Sequence, residues 1–265
     1  MRRIILIATA LGALAVAGVA VAATTAINTY THTLRFTTKA AGTRSKPVPI
    51  GFTQNITAKG TNGNRTAVLV DLRTRVYGVM ANTKGFPTCS ATEIANAKTD
   101  AKCPKGALVA SGYITAVLGP ANNFTASGSP CTPLLHVWNS GGGKLTFFFV
   151  DTPTHQCVGL KTGQVGPYPA TVRQQGKYMV LDVPIPSFVD YPLGPGAVAG
   201  SLEVEHLVWA KHTMKVKGRT VPLFASVGCM GRTRPYAETF KATLPSPNGG
   251  AGTTQTQTVT GKAPC

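Results

Sequence analysis

Acidic side chains are the scarcest functional group in this chain. Asp and Glu number 9 in 265 residues against 26 Lys plus Arg, a formal net charge of +17. Chemistries that need several carboxylates together, such as paired-acid glycoside hydrolysis or calcium loops, therefore have few places to reside. Charged residues of both signs make up only 13% of the chain. The surface must then be largely Thr, Ser, Asn, Gln and Gly, a composition that suits an extracellular β protein. No CxxC pair suggests zinc or a redox site. No GxSxG, HExxH, Gly-rich phosphate loop or EF-hand pattern occurs either, and no cofactor or metal is expected. Helix is nearly absent as well: a single short stretch has helical character.

What is present begins with a leader. Arg2 and Arg3 precede an uncharged apolar run from Ile4 to about Val19, and Ala20-Val21-Ala22 supplies a small-x-small cleavage site, the three-part form of a secretory signal peptide over residues 1–22. Val21-Ala22-Ala23 is the alternative site. Retention as an anchor is the other reading, because the run approaches the ~20 residues of a bilayer span. Loss of Arg2 and Arg3 lowers the charge from +17 to +15. Such a charge attracts anions. Export promotes anionic cell-wall polymer or polysaccharide as the partner, with no nucleic acid expected and no transmembrane segment after cleavage.

All six cysteines, Cys89, Cys103, Cys131, Cys157, Cys229 and Cys265, follow the leader. An even number in an exported chain reads as three disulfides in a secreted or envelope-associated protein, although six cysteines permit 15 connectivities. Sequential pairing, 89–103, 131–157 and 229–265, is the expectation.

The remainder reads as strands, in one large domain or two small ones. Thr31 to Thr38 alternates, with Leu34 and Phe36 on one face. Phe52 to Lys59 and Thr66 to Met80 flank Gly60-Thr61-Asn62-Gly63-Asn64, and Asn-Gly between two β-rich runs predicts a hairpin. Val68, Val70, Leu72, Thr74 and Val76 share one face of the second run, with Asp71, Arg73 and Arg75 opposite. Ser90 with Glu93 predicts a capping box opening a helix to about Lys98, ended by Cys103-Pro104. Leu134 to Trp138 and Lys144 to Val150 predict a second hairpin over Ser140-Gly141-Gly142-Gly143. Its LTFFFV strand is apolar on both faces and belongs at the centre of a sandwich. Tyr168 to Gln174 and Tyr178 to Val183 form a third hairpin. Pro184 to Gly200 is a proline-rich loop, Ser201 to His212 a long strand, and Thr213 to Lys217 pairs with Thr220 to Val227. Tyr236 to Leu244 is the last strand, and residues 245–265 form a Gly/Thr/Gln-rich tail ending in cysteine. This predicts an all-β fold over 29–244, a β-sandwich of jelly-roll or immunoglobulin-like type with one short disulfide-fenced helix.

One resemblance rests on Phe86-Pro87-x-Cys89, then Cys103-Pro104 and Leu108-Val109-Ala110-Ser111-Gly112. This is similar to a Cys…Cys-Pro…Val-Gly-Ser-Gly pattern of secreted proteins of high-GC actinobacteria, a group without an assigned activity; Ala110 stands where glycine is expected. The resemblance spans Phe86 to Gly112 and implies an exported β-rich protein.

Two enzymatic candidates arise. Ser226-Val227-Gly228-Cys229-Met230-Gly231-Arg232 is similar to the Ser-His-Gly-Cys-x-Arg nucleophile motif of L,D-transpeptidases, which pair that cysteine with an upstream histidine; His212 stands 17 residues before Cys229. A thiolate beside an imidazolium is an activated nucleophile. Val227 replaces the motif's histidine, however, and a free Cys229 would leave another cysteine unpaired. Glu203-Val204-Glu205 resembles the carboxylate ladder of jelly-roll β-glucanases, since alternate strand residues face one way ~7 Å apart. The next same-face position is Leu207, so the ladder is incomplete; Trp209 beyond it is a sugar platform or simply core. His206 and His212 would lie ~20 Å apart on one strand, too far for one ion, while His136 and His155 fall on other segments. The basic run Lys211, Lys215, Lys217, Arg219, Arg232 and Arg234 contains no acid and is a candidate anion-binding patch. The expectation is thus a non-enzymatic envelope-binding or structural module, with a cell-wall enzyme as the alternative.

Overall fold

The computed structural model describes residues 26–161, 165–216, 218–246 and 252–265. The leader at 1–22 and Lys217 lie outside the described residues. In chain order the elements are β1 (Asn28–Phe36), β2 (Val48–Pro49), β3 (Phe52–Gly60), β4 (Val68–Tyr77), β5 (Val79–Ala81), helix α1 (Ala91–Ala97) and a 3-10 turn (Lys105–Ala107). Then follow β6 (Leu108–Pro120), β7 (Ser129–Cys131), β8 (Leu134–Gly141), β9 (Lys144–Val150), β10 (Tyr168–Gln175), β11 (Tyr178–Pro184) and the single-turn helix α2 (Ser187–Asp190). The chain ends with β12 (Val198–Trp209), β13 (Thr213–Val216), β14 (Arg219–Pro222), β15 (Phe224–Ser226), β16 (Thr233–Leu244) and β17 (Thr253–Pro264).

The protein is all-β, as its alternation predicts, and its large sheet is antiparallel and nearly closed into a barrel, whereas the expected sandwich is not confirmed. The main strands form one antiparallel sheet in the order β1-β3-β12-β6-β8-β9-β10-β11-β4-β16-β17, with β7 also on β6. One sheet curled until its ends meet encloses a core without needing a second facing sheet. At the seam the Gln255 side chain replaces a strand ladder. Its Oε1 accepts from the backbone N–H groups of Ile27 and Asn28, each at 2.8 Å, and its Nε2 donates to the Asn28 carbonyl at 2.9 Å. Thr253–Pro264 is thus a sheet strand rather than a tail, paired with β16 along its whole length. Thr-rich segments fit a pleated surface. Two smaller sheets, β13-β14 and β2-β15-β5, are also formed among the described residues.

Asn62 and Gly63 do adopt positive φ, 56° and 75°, but the hairpin predicted across them does not form. β3 pairs with β1 and β12, and β4 with β11 and β16. The connection instead crosses one end of the barrel. Arg65 Nη1 donates to Ser201 Oγ at 3.0 Å, Thr66 Oγ1 to the Leu202 carbonyl at 2.7 Å, and the Ala67 N–H to Asn28 Oδ1 at 2.8 Å.

Two bulges reset the inward face near this end. In β4 the register with β16 skips Val70, so Leu72, Thr74 and Val76 face inward as expected while Val68 packs with Ala121, Phe124 and Ala199 in a separate cluster. In β12 the register with β6 skips Glu203.

The other three predicted hairpins form, β8-β9, β10-β11 and β13-β14. β9 explains its own composition: Leu145, Phe147 and Phe149 join the barrel core, whereas Phe148 packs outward against Cys89, Ile94, Ala107 and Trp138. The outer layer is the helix-bearing insert. Ser90 caps it through the reciprocal bonds to Glu93 that the capping box requires, and Lys98 closes it in the left-handed region. All three disulfides, 89–103, 131–157 and 229–265, join as expected.

Candidate functional site

An apolar cavity of about 100 Å³ lies inside the barrel at the end covered by α2. Its walls include Leu72 of β4, Leu135 of β8, Phe147 and Phe149 of β9, and Ala116 of β6. Its cover comes from two loops. One is the segment following β9, clipped by Cys131–Cys157, and the other is the proline-rich connection carrying α2. Both cover segments leave apolar side chains in water: Val158 is 58% exposed, Phe188 44% and Leu193 58%. Phe188 stands against Gly166, so the two loops meet.

Two carboxyls line this apolar space, Asp190 at the end of α2 and Glu205 of β12. Both are buried, at 6% and 8% exposure. Neither forms a salt bridge or hydrogen bond with a described residue, and Oε1 of Glu205 is buried without a partner. Burial alone pushes Asp190 up to about 8 and Glu205 up to about 7. The Tyr168 ring also lines the cavity; burial raises its hydroxyl pKa, and the charges of Glu205 and Asp190 raise it further. The three groups therefore share one electrostatic neighbourhood.

The polar line continues into the barrel. Glu238 of β16 is wholly buried and its pKa lies well above the usual carboxylate range through burial, with the Glu205 charge adding to this. The Thr74 hydroxyl stands beside it and opposes the rise, yet neither Glu238 oxygen has a partner of good hydrogen-bond geometry. His32 Nδ1 lies 3.6 Å from Glu238 Oε2, both side chains fully buried. Burial drives His32 down to about 4. Burial thus disfavours the charged form of both partners.

The enzymatic candidates separate. Cys229 is joined to Cys265, so no thiolate is available there. His212 Nε2 donates to the Leu108 carbonyl at 2.8 Å rather than facing a cysteine. The bulge at Glu203 breaks the alternation that would place it beside Glu205: Glu205 enters the cavity, and Glu203 is half-buried and outside its lining. Trp209 is core, 2% exposed, stacked on Phe52, with Nε1 donating to Gln54 Oε1 at 3.0 Å. His206 Nδ1 sits 2.6 Å from Asn55 Oδ1, His136 Nδ1 2.6 Å from Asp100 Oδ2, and His155 Nδ1 3.1 Å from the Thr132 carbonyl. Among the described residues no three His, Cys, Asp or Glu side chains gather as a metal set.

Lys211, Lys215, Arg219 and Arg232 are exposed. Arg234 is corrected: it is 0% exposed, because β16 alternation turns Arg234, Tyr236, Glu238, Phe240 and Ala242 inward. Its guanidinium lies 4.5 Å over the Phe36 ring and donates to Ser226 Oγ at 2.5 Å.

Asp190, Tyr168, Glu238 and His32 escaped the sequence reading. Two left a signal: Glu238 breaks the apolar face of Tyr236, Phe240 and Ala242, and His32 breaks that of Tyr30 and Leu34. Comparison with family models, with curated proteins and with solved structures found no match.

Proposed function

We propose that this chain is a non-enzymatic binding protein of the cell exterior that holds a small, largely apolar ligand in the barrel cavity. The observation that carries this reading is the apolar cavity whose two carboxyls have no described partner. A buried polar group without a partner costs free energy, and sites that bind small molecules are apolar with a few placed polar groups. The exposed Val158, Phe188 and Leu193 on the covering loops offer an apolar approach. Three disulfides fit an oxidising compartment, and the leader-like N-terminus supports export. Toluene titrated into the unreduced protein should raise its Tm, and Ala116→Leu, which fills the cavity, should abolish the rise. No rise at saturating toluene overturns the reading.

A second reading concerns the outer surface. Lys211, Lys215, Arg219 and Arg232 are exposed, and together with the net charge of +17 they support attachment to an anionic envelope polymer. Cosedimentation with purified cell walls should occur at low salt and weaken at high salt; a protein that stays in the supernatant at low salt rules it out.

A further inference from the structure

We propose that the cavity is shaped for a small apolar amine, its ammonium held between Asp190 and Glu205 and its hydrocarbon body against Leu72, Phe147 and Phe149. This rests on the ligand-carrying reading and narrows it.

The first argument is the distribution of charge. Basic residues outnumber acidic ones 26 to 9, so a carboxyl without a basic partner does not reflect a shortage of cations. Three acids elsewhere are engaged: Asp182 pairs with Arg73 and Arg173, Asp100 with His136, and Glu93 caps its helix. Inside the barrel Asp190, Glu205 and Glu238 meet no Lys or Arg among the described residues. The buried Arg234 is held by Phe36 and Ser226 instead. The three interior carboxyls are thus left without a Lys or Arg partner, while the buried Arg234 is placed elsewhere.

The second is stoichiometry of donors. A neutral ligand such as a ketone or ether accepts hydrogen bonds and could satisfy one protonated carboxyl. An ammonium brings three donors on one atom, enough to reach carboxylates on two sides and still meet the Tyr168 oxygen. Charge-assisted bonds in a low-dielectric site are the stronger kind. A bound cation would hold both acids ionised despite the burial that raises them.

The third is size. A cavity of about 150 Å³ lined by aliphatic and aromatic side chains accepts benzene. The space of about 100 Å³ here suits a body of similar or smaller girth with its head at the carboxyls.

The test is calorimetric titration of the mature, unreduced protein at pH 7 with four probes of one shape: toluene, benzyl alcohol, benzoate and benzylamine. Benzylamine should bind roughly tenfold or more tightly than benzyl alcohol, the ratio expected of a charge-assisted pair, and benzoate most weakly. Glu205→Gln and Asp190→Asn should each remove most of that advantage, with cooperative thermal unfolding of each variant showing that it remains folded. If toluene and benzyl alcohol bind but benzylamine binds no tighter, the amine proposal is overturned and the cavity reading survives. If no probe binds, both fall.

Discussion

The side-chain amide of Gln255 bonds both backbone groups of Asn28, accepting from its N–H at 2.8 Å and donating to its carbonyl at 2.9 Å. Two strands from opposite ends of the chain are thereby joined without a regular ladder. Gln255→Ala should therefore open the seam: it deletes the three hydrogen bonds that cross it, the third to Ile27, and should cost about 1–3 kcal/mol. Hydrogen exchange at Ile27 and Asn28 should accelerate more than at the core strands β9 and β12. Uniform acceleration across the sheet would show that the seam is not a local device.

The same strand is anchored by Cys229–Cys265, a link of sequence separation 36. Thiol titration of the unreduced protein should find no reactive cysteine, consistent with three bridges. Replacing both Cys229 and Cys265 by Ser should cost about 4 kcal/mol in the chain-entropy account for a loop of this length, read from urea unfolding. A titratable Cys229 would restore the transpeptidase reading.

How much of this could be read in the chain depended on the range of the interaction. The Ser90–Glu93 capping box is settled within one helical turn, and tight turns fixed the β8-β9 and β10-β11 hairpins. The both-sided apolarity of LTFFFV announced two layers, which the insert supplies on the outside. Asn62-Gly63 took the expected conformation, yet turn geometry does not choose a partner strand, and β4 found β11 and β16 instead. β17 went unread because it lies at a barrel seam, where neither face is deeply buried and no apolar alternation is imposed. The site was hidden by the bulge at Glu203. One extra residue reversed the parity of β12 and separated two carboxylates that spacing alone puts together. Asp190, inside a proline-rich loop, carried no periodic signal at all.

The insert should behave as a packed layer. Ile94 is fully buried between the helix and the outer face of β8-β9. Ile94→Ala should cost about 2–5 kcal/mol. Asp100 accepts from Trp138 Nε1 at 3.1 Å and lies 2.6 Å from His136 Nδ1, so Asp100→Ala should cost about 1–3 kcal/mol. Denaturant unfolding followed by Trp138 fluorescence measures both. Wild-type midpoints would mean that the insert is only loosely attached.

Basic residues should divide by function. Arg232→Glu, at an exposed site, should weaken wall cosedimentation and leave Tm unchanged. Arg234→Ala should lower Tm, since it removes a buried side chain held by Phe36 and Ser226. Equal loss of pelleting in both variants at unchanged Tm would contradict the inward placement of Arg234.

The interior acids give the molecule a pH profile. In the unfolded chain Asp190, Glu205 and Glu238 ionise near 4, whereas in the fold the first two rise to about 8 and about 7 and the third lies well above its ordinary value. The folded state therefore binds more protons than the unfolded state between these limits. Stability from each acid is complete below its unfolded pKa and falls as pH rises through the folded one, at roughly 1.4 kcal/mol per pH unit per group in that window. His32 works in the opposite sense: lowered to about 4, it loses stability as pH falls from 6.5. The raised Tyr168 and Tyr30 hydroxyls stay neutral throughout this range. Three acids outweigh one histidine, so Tm should be higher at pH 5 than at pH 8. Glu205→Gln should flatten the decline toward pH 8, because a neutral amide has no proton to lose, whereas Glu203→Gln should leave the profile as it is. A Tm that climbs from pH 5 to pH 8 would mean that these carboxyls are ionised and solvated, and that the cavity admits bulk water.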